Sequence, residues 1–348
     1  MNIRERILSA LSWQEPDRIP FTIYEPMLPR GADARRLREL GLGLIVRLPG
    51  HRVEHRQVRV TTETVWREGE PILRRTLHTP VGEVWKEMRV GPVHGSTWID
   101  AYYIKEPDDY RVMEYVYRDA VYRDNYATLR RAKVEMGDDG LVLVRVAKGP
   151  MQEIVYQLAG MERVAFDLHD CRDRVESLYH TMCARYRDLY DLAAGAPVEI
   201  CQLGDNIDSA MVSPSYFRRY CVPVYETLMN RLEGTDKRLM VHMDGSLRPL
   251  VPAIAEAPMD IVEAFTPPPV GDVPLAEARR TWPDKALWIN FTSSMHLAPT
   301  QEIEAHTEQL IAEAGGKAGF GISITEDVPP AHLARSLTAI ARVINAAR

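Results

Sequence analysis

The chain has 348 residues, 45 % apolar and 26 % charged, with a formal net charge of -6. That is apolar material enough for a full core, which excludes disorder, and the slightly acidic balance excludes the basic field that nucleic acid or an anionic membrane would need. Four cysteines, Cys171, Cys183, Cys201 and Cys221, stand singly at long spacings, without the CxxC pair of a thiolate clamp or redox dithiol.

In chain order, Ile3, Ile7, Leu8 and Leu11 share one face of an opening amphipathic helix, which Glu15-Pro16-Asp17-Arg18 ends. This segment carries acids and no long apolar core, so it is not read as a signal peptide. No run approaches about 18 apolar residues, and the cytosol is the expected compartment. Residues 19 to 24, compact and rich in β-branched and aromatic side chains, form a strand with Tyr24 and Glu25 at its exit. A helix from about residue 37 leads through Gly41 and Gly43 to a short strand, LIVR. Residues 51 to 90 alternate around Arg-Glu-Gly-Glu and Pro-Val-Gly turns, the pattern of antiparallel hairpins. Residues 100 to 139 return to helical periodicity, which Gly137-Asp138-Asp139-Gly140 breaks before a strand at 141–146.

From there the pattern is regular. Strands are predicted at 198–203, 239–241, 261–262, 287–291 and 320–324. The helices between them include a long one at about 172–194, one begun by Ser213-Pro214 as cap and first turn, and a final one with Leu333, Leu337, Ile340 and Ile344 inward. Short strands alternating with helices six or more times predict an α/β fold. A closed (β/α)8 TIM barrel is favoured, as a single domain over 1–348 with an antiparallel insertion at about 51–125. No GxGxxG or GxxxxGK[ST] follows a strand, so no nucleotide site is expected.

In such a barrel the C-terminal strand ends form the mouth where chemistry is done. His242 and Glu263, at two successive strand ends, can pair on a metal, because imidazole nitrogen and carboxylate oxygen are ordinary zinc ligands. His242 can equally act as an acid or base. Glu326 is a candidate third ligand or general acid, and Asp205 a candidate catalytic group. Tyr24, Asn206, Asp244 and Asn290 are candidate substrate contacts. Structural roles compete with these: Asp244 before Gly245 can cap a helix, and Asp205-Asn206 can form an Asx turn. Several carboxylates around one cavity have to be offset by protonation, a cation or rim arginines. Asp167 and His169 read as helix surface, and His296 as a solvated loop residue.

Certain runs carry a resemblance: residues 4–11 (RERILSAL), 15–20 (EPDRIP), Asp205 with Ser213-Pro214, Phe217, Tyr220 and Pro223, then His242-Met243-Asp244-Gly245, and Gly321 with Glu326-Asp327-Val328-Pro329. Together they resemble the uroporphyrinogen decarboxylase superfamily over nearly the whole chain outside 51–125. The resemblance implies a (β/α)8 barrel and either decarboxylation or methyl transfer involving corrinoid proteins or coenzyme M. Two departures narrow it. The arginine-rich motif of the decarboxylases after the first strand is replaced by Tyr24-Glu25-Pro26-Met27-Leu28-Pro29-Arg30, and the cysteines of the thiol-methylating branch are replaced by Asp244 and Phe320. What remains resembles a demethylase that moves a methyl group from an ether or amine of a small substrate to a corrinoid on a separate protein. The resemblance further implies zinc on His242 and Glu263, completed by Glu326 or Asp205, and a homodimer. A decarboxylase of a smaller acid and a non-catalytic binding barrel stay open beside it.

Overall fold

The computed structural model describes residues 1–91 and 97–347. Strands β1 (Phe21–Tyr24) and β2 (Leu42–Pro49) come first. Six more follow: β3 (His51–His55), β4 (Arg59–Arg67), β5 (Glu70–Thr79), β6 (Gly82–Val90), β7 (Thr97–Ala101) and β8 (Ala120–Asp124). The last six are β9 (Gly140–Arg145), β10 (Ile200–Ile207), β11 (Arg238–Met243), β12 (Ile261–Phe265), β13 (Ala286–Asn290) and β14 (Phe320–Ile324). Among the described residues, β1, β14, β13, β12, β11, β10, β9 and β2 pair in that order, and β2 returns to β1, so an eight-stranded parallel barrel closes. The α/β class and the (β/α)8 TIM barrel expected from the alternation are what the chain forms. No helix of the described residues is long and apolar enough to cross a membrane.

Contacts divide the chain into two compact units. The first comprises 1–49, 126–146 and everything from 196 onward, and it holds all eight barrel strands. Helix α1 (Ile3–Leu11) starts at a capping box in which Asn2 and Glu5 each accept the other's backbone N–H. Its apolar face is the barrel floor: Ile7 and Leu11 lie in one buried cluster with Ile45, Leu141, Met240 and Trp288. Gly43 on β2 leaves room that the Ile3 side chain fills, and a Cβ there would press on Ile3 while only touching Ile7. The gap left in this layer is about 10 Å³, too small for a ligand. Among the described residues, this end of the barrel leaves no room for a substrate.

The second unit comprises 50–125 and 147–195. The hairpins anticipated at 51–90 are present, as β4, β5, β6 and β7 in an antiparallel sheet. The helical expectation for 100–139 needs correcting in its middle. Residues 120–124 form β8, antiparallel to β3, where Ala-Val-Tyr-Arg-Asp alternates as a strand between helices Asp109–Asp119 and Tyr126–Met136. Helix Asp109–Asp119 packs on helix Arg172–Ala194, and Tyr117 and Tyr122 meet Tyr186 edge to face. Asp167 is no surface residue: it is buried and receives the Tyr110 hydroxyl at 2.9 Å and Arg163 at 2.7 Å, while its neighbour His169 is exposed.

Candidate active site

Side chains alternate in and out along a strand, so the inward set at the top of the barrel is fixed two residues above the floor layer. On β11 that rule lifts Met240 to His242, on β10 Ile200 to Gln202, and on β12 Ile261 to Glu263. His242 and Glu263 are direct partners in the β11–β12 register. The imidazole Nδ1 lies 2.7 Å from Glu263 Oε2, an oxygen that also accepts from the Gln202 amide at 3.0 Å. Glu263 Oε1 accepts from the Tyr24 hydroxyl. A buried carboxylate with three donors around it has no unmet demand.

The charges follow from this geometry. Burial by itself would strip the proton from His242, but the Glu263 carboxylate, with Asp244 second to it, outweighs burial and raises the imidazole from its ordinary 6.5 to about 9. For Glu263, burial pulls upward and the charged imidazole pulls downward more strongly, so the carboxyl is held below its usual range. Burial, and then the Glu263 charge, push the Tyr24 phenol well above 10. At neutral pH the group is imidazolium, carboxylate and phenol. Nδ1–H is tied to Glu263, and Nε2–H is the proton on offer, 3.6 Å from the partly exposed Asp244 carboxylate.

Two irregularities shape this ring of strands. On β12 an extra residue separates Glu263 from Phe265, and Ala264 takes a left-handed φ of 62° there. On β10 the register shifts between Leu203 and Ile207, with Asn206 at φ 51°. Bulges of this kind re-aim strand ends, and they flank β11 on both sides. Ahead of it, Asp208 accepts from the backbone N–H of Ala210 at 2.6 Å and Ser246 at 3.1 Å. That carboxylate packs so close to Gly245, itself left-handed at φ 62°, that no side chain fits.

The sequence candidates separate by placement. Tyr24, His242, Glu263 and Asp244 are brought together. Asp205 is fully buried and receives the hydroxyl of Tyr225, at 2.8 Å, from helix Val222–Leu232. Asn290 holds strand exits together, donating to Thr266 at 3.5 Å and accepting from the Thr325 backbone at 3.1 Å. Asn206 is the left-handed residue of its bulge, and Glu326 lies half-buried just past β14. His296 is not solvated. It is fully buried, with Nδ1 2.7 Å from Ser336, and burial pulls it down to about 4.

As these residues stand, the donor set does not fit a resident zinc on His242 and Glu263. The two are hydrogen-bonded to each other, both Glu263 oxygens are taken, and Asp205 faces Tyr225. Among the described residues no group of three His, Cys, Asp or Glu could hold a metal ion. The Glu263 carboxylate instead accepts from the imidazole, the Gln202 amide and the Tyr24 hydroxyl.

Sequence reasoning missed Gln202 and two arginines. Arg47 on β2 lies with its guanidinium 3.4 Å over the Tyr24 ring. Arg145 ends β9, level with Gln202, its guanidinium against Gly204. The signal was present in the alternation Ile45–Arg47 and Leu143–Arg145. Attention to the residues after each strand passed over polar groups within it.

Comparison with known proteins bears on this arrangement. The chain is similar to a methyltransferase from Methanosarcina mazei, with a TM-score of 0.60 and 12 % identity over 99 % of each chain, which speaks for the fold. It is far less similar to MenC from Desulfotalea psychrophila LSv54, at a TM-score of 0.26 and 10 % identity over 86 % of this chain and 91 % of that one. A comparison with curated proteins gives no match. Residues 91–347 match the family described as uroporphyrinogen decarboxylase (URO-D). That match spans well over half of the chain and takes in six of the eight barrel strands, with Gln202, His242 and Glu263 among them, and the chain therefore belongs to the uroporphyrinogen decarboxylase family.

Proposed function

We propose that this protein is a methyl-transferring enzyme, a demethylase that removes a methyl group from an oxygen or nitrogen of a small substrate. The observation that carries the reading is an imidazole whose resting state is the acid, held by Glu263, with one N–H turned to the barrel mouth. When a methyl group leaves an ether, the bond electrons stay on oxygen, and an alkoxide or phenoxide departs poorly unless it is protonated. His242 Nε2–H delivers that proton, Glu263 stabilises the cation until then, and Tyr24 and Gln202 hold Glu263 in place. Zinc is not needed in this scheme, because the proton does the work assigned to a Lewis acid. A corrinoid on a separate protein supplies the methyl acceptor.

The test incubates the purified protein with cob(I)alamin and a panel of methoxylated and N-methylated acids, following cobalamin absorbance and demethylated product. Transfer that His242→Gln slows by about 10²–10⁴-fold supports the reading. Stoichiometric zinc, lost in His242→Ala, would replace the proton by a Lewis acid. The two arginines favour a second reading, decarboxylation of a small acid, in which His242 protonates the carbanion left by carbon dioxide. Carbon dioxide release without any cobalamin would select it.

A further inference from the structure

Away from the His242 group, a cleft of about 260 Å³ lies in the helix layer around the barrel. It is lined by helix Ala32–Glu39, which follows β1, and by helix Pro330–Ala346, which follows β14, and these two helices pack on each other. Arg335 and Arg342 project from one face of the second helix, two turns apart, and Arg36 lines the same space from the first helix, one turn after Asp33. Short side chains at Ala334 and Thr338 keep the space between them open. Among the described residues that line the cleft, Asp33 is the one acid.

The three guanidiniums are not neutralised there. Arg38, on the same helix as Arg36, pairs with the Asp139 carboxylate. Arg36 and Arg342 make no side-chain hydrogen bond or ion pair among the described residues, so their N–H donors are at a ligand's disposal. Arg335 donates to oxygens that carry no charge: the carbonyls of Ala298 at 2.8 Å and His296 at 3.1 Å, and the Thr300 hydroxyl at 3.4 Å. Those contacts fix its guanidinium and leave its charge intact. Guanidinium groups do not lose their protons in proteins, so three of them against Asp33 leave the cleft two positive charges in excess. A phosphate dianion matches that excess, and its oxygens match the fork of guanidinium donors.

We propose that this cleft binds the phosphate group of a small anion, either inorganic phosphate or a phosphomonoester. Arg36 and Arg342 donate to the phosphate oxygens from the two helices, and Arg335 supplies a fixed charge. The space holds several water-sized groups, so a short ester substituent fits beside the phosphate. The site shares no residue with the acid–base group and stands whether or not the protein transfers methyl groups.

Calorimetric titration of the native protein with inorganic phosphate and with ethyl phosphate tests this, with acetate as the singly charged control. At least one phosphate is expected to bind more tightly than about 1 mM, and acetate to bind more weakly than that. Arg36→Gln and Arg342→Gln should each weaken the phosphate by about 10-fold, the worth of a hydrogen bond to a charged group. Both side chains are exposed and without partners, so the melting temperature of each variant in the absence of phosphate should match the native one. Arg35→Gln removes the same charge from the same helix outside the cleft and should leave binding as it is. Binding of inorganic phosphate identifies the free ion, and binding confined to ethyl phosphate identifies an ester. If neither phosphate binds more tightly than about 1 mM, if acetate binds as well, if Arg36→Gln or Arg342→Gln keeps the native affinity, or if Arg35→Gln weakens it equally, the site is overturned.

Discussion

Removing the Glu263 carboxylate would leave a buried imidazolium with nothing to face. Truncating one member of such a pair typically costs about 3–5 kcal/mol, and Glu263→Ala is expected to lose that much in urea denaturation. Glu263→Gln keeps the shape and drops the charge. The largest influence raising the imidazole is then gone, and the His242 titration followed by NMR should fall from about 9. The pH dependence has a definite sign. The folded imidazole keeps its proton to about 9 and the unfolded one to 6.5, so the contribution of the pair is complete below pH 6.5 and lost as pH rises to 9. Unfolding free energies at pH 6 and 9.5 should therefore differ more in the native protein than in His242→Gln, and the turnover rate should fall along the same alkaline limb. A rate that stays flat to pH 10 would remove His242 as the acid. His242 and Glu263 were legible in the sequence because each closes a short apolar run. Gln202, Arg47 and Arg145 were not, because a polar side chain inside a strand shows its direction only once the inward layer is known.

The strands and helices of the barrel were legible because their periodicities differ, and the final helix and β14 lie where the apolar pattern puts them. The bulges were not, since nothing in Ile-Val-Glu-Ala-Phe marks Ala264 as left-handed; that conformation is imposed by the strands on either side. Residues 120–124 failed for a related reason, as five residues between two helices carry too little pattern to outweigh their surroundings. Two substitutions test the elements that hold the site. Leu11→Ala opens the barrel floor and should cost about 2–5 kcal/mol, read from the denaturation midpoint. Gly245→Ala places a side chain at a left-handed φ and against the Asp208 carboxylate, so it should destabilise by more than about 1 kcal/mol. It should also lower turnover, because the loop it disturbs begins at Asp244. A neutral Gly245→Ala would show that this loop yields.

On the scale of the whole molecule, the stretch 51–125 is one of two segments of a compact unit. Helix Asp109–Asp119 and the tyrosines near it pack on helix Arg172–Ala194, which belongs to the other segment. Deleting 50–125 is thus expected to uncover the apolar face of that helix and give a protein that binds a hydrophobic dye and aggregates. A soluble, cooperatively melting deletion would show that the remaining segment stands alone. The closure of the barrel reaches further than its geometry. β1 pairs with both β2 and β14, and Tyr24 on β1 donates to Glu263 on β12, so strands made almost 300 residues apart share one hydrogen-bonded wall. During synthesis the ribosome must deliver residue 324 before that wall can be sealed. Until then the β1 edge that pairs with β14 has no partner strand, so the barrel cannot close before the C-terminal part of the chain is made.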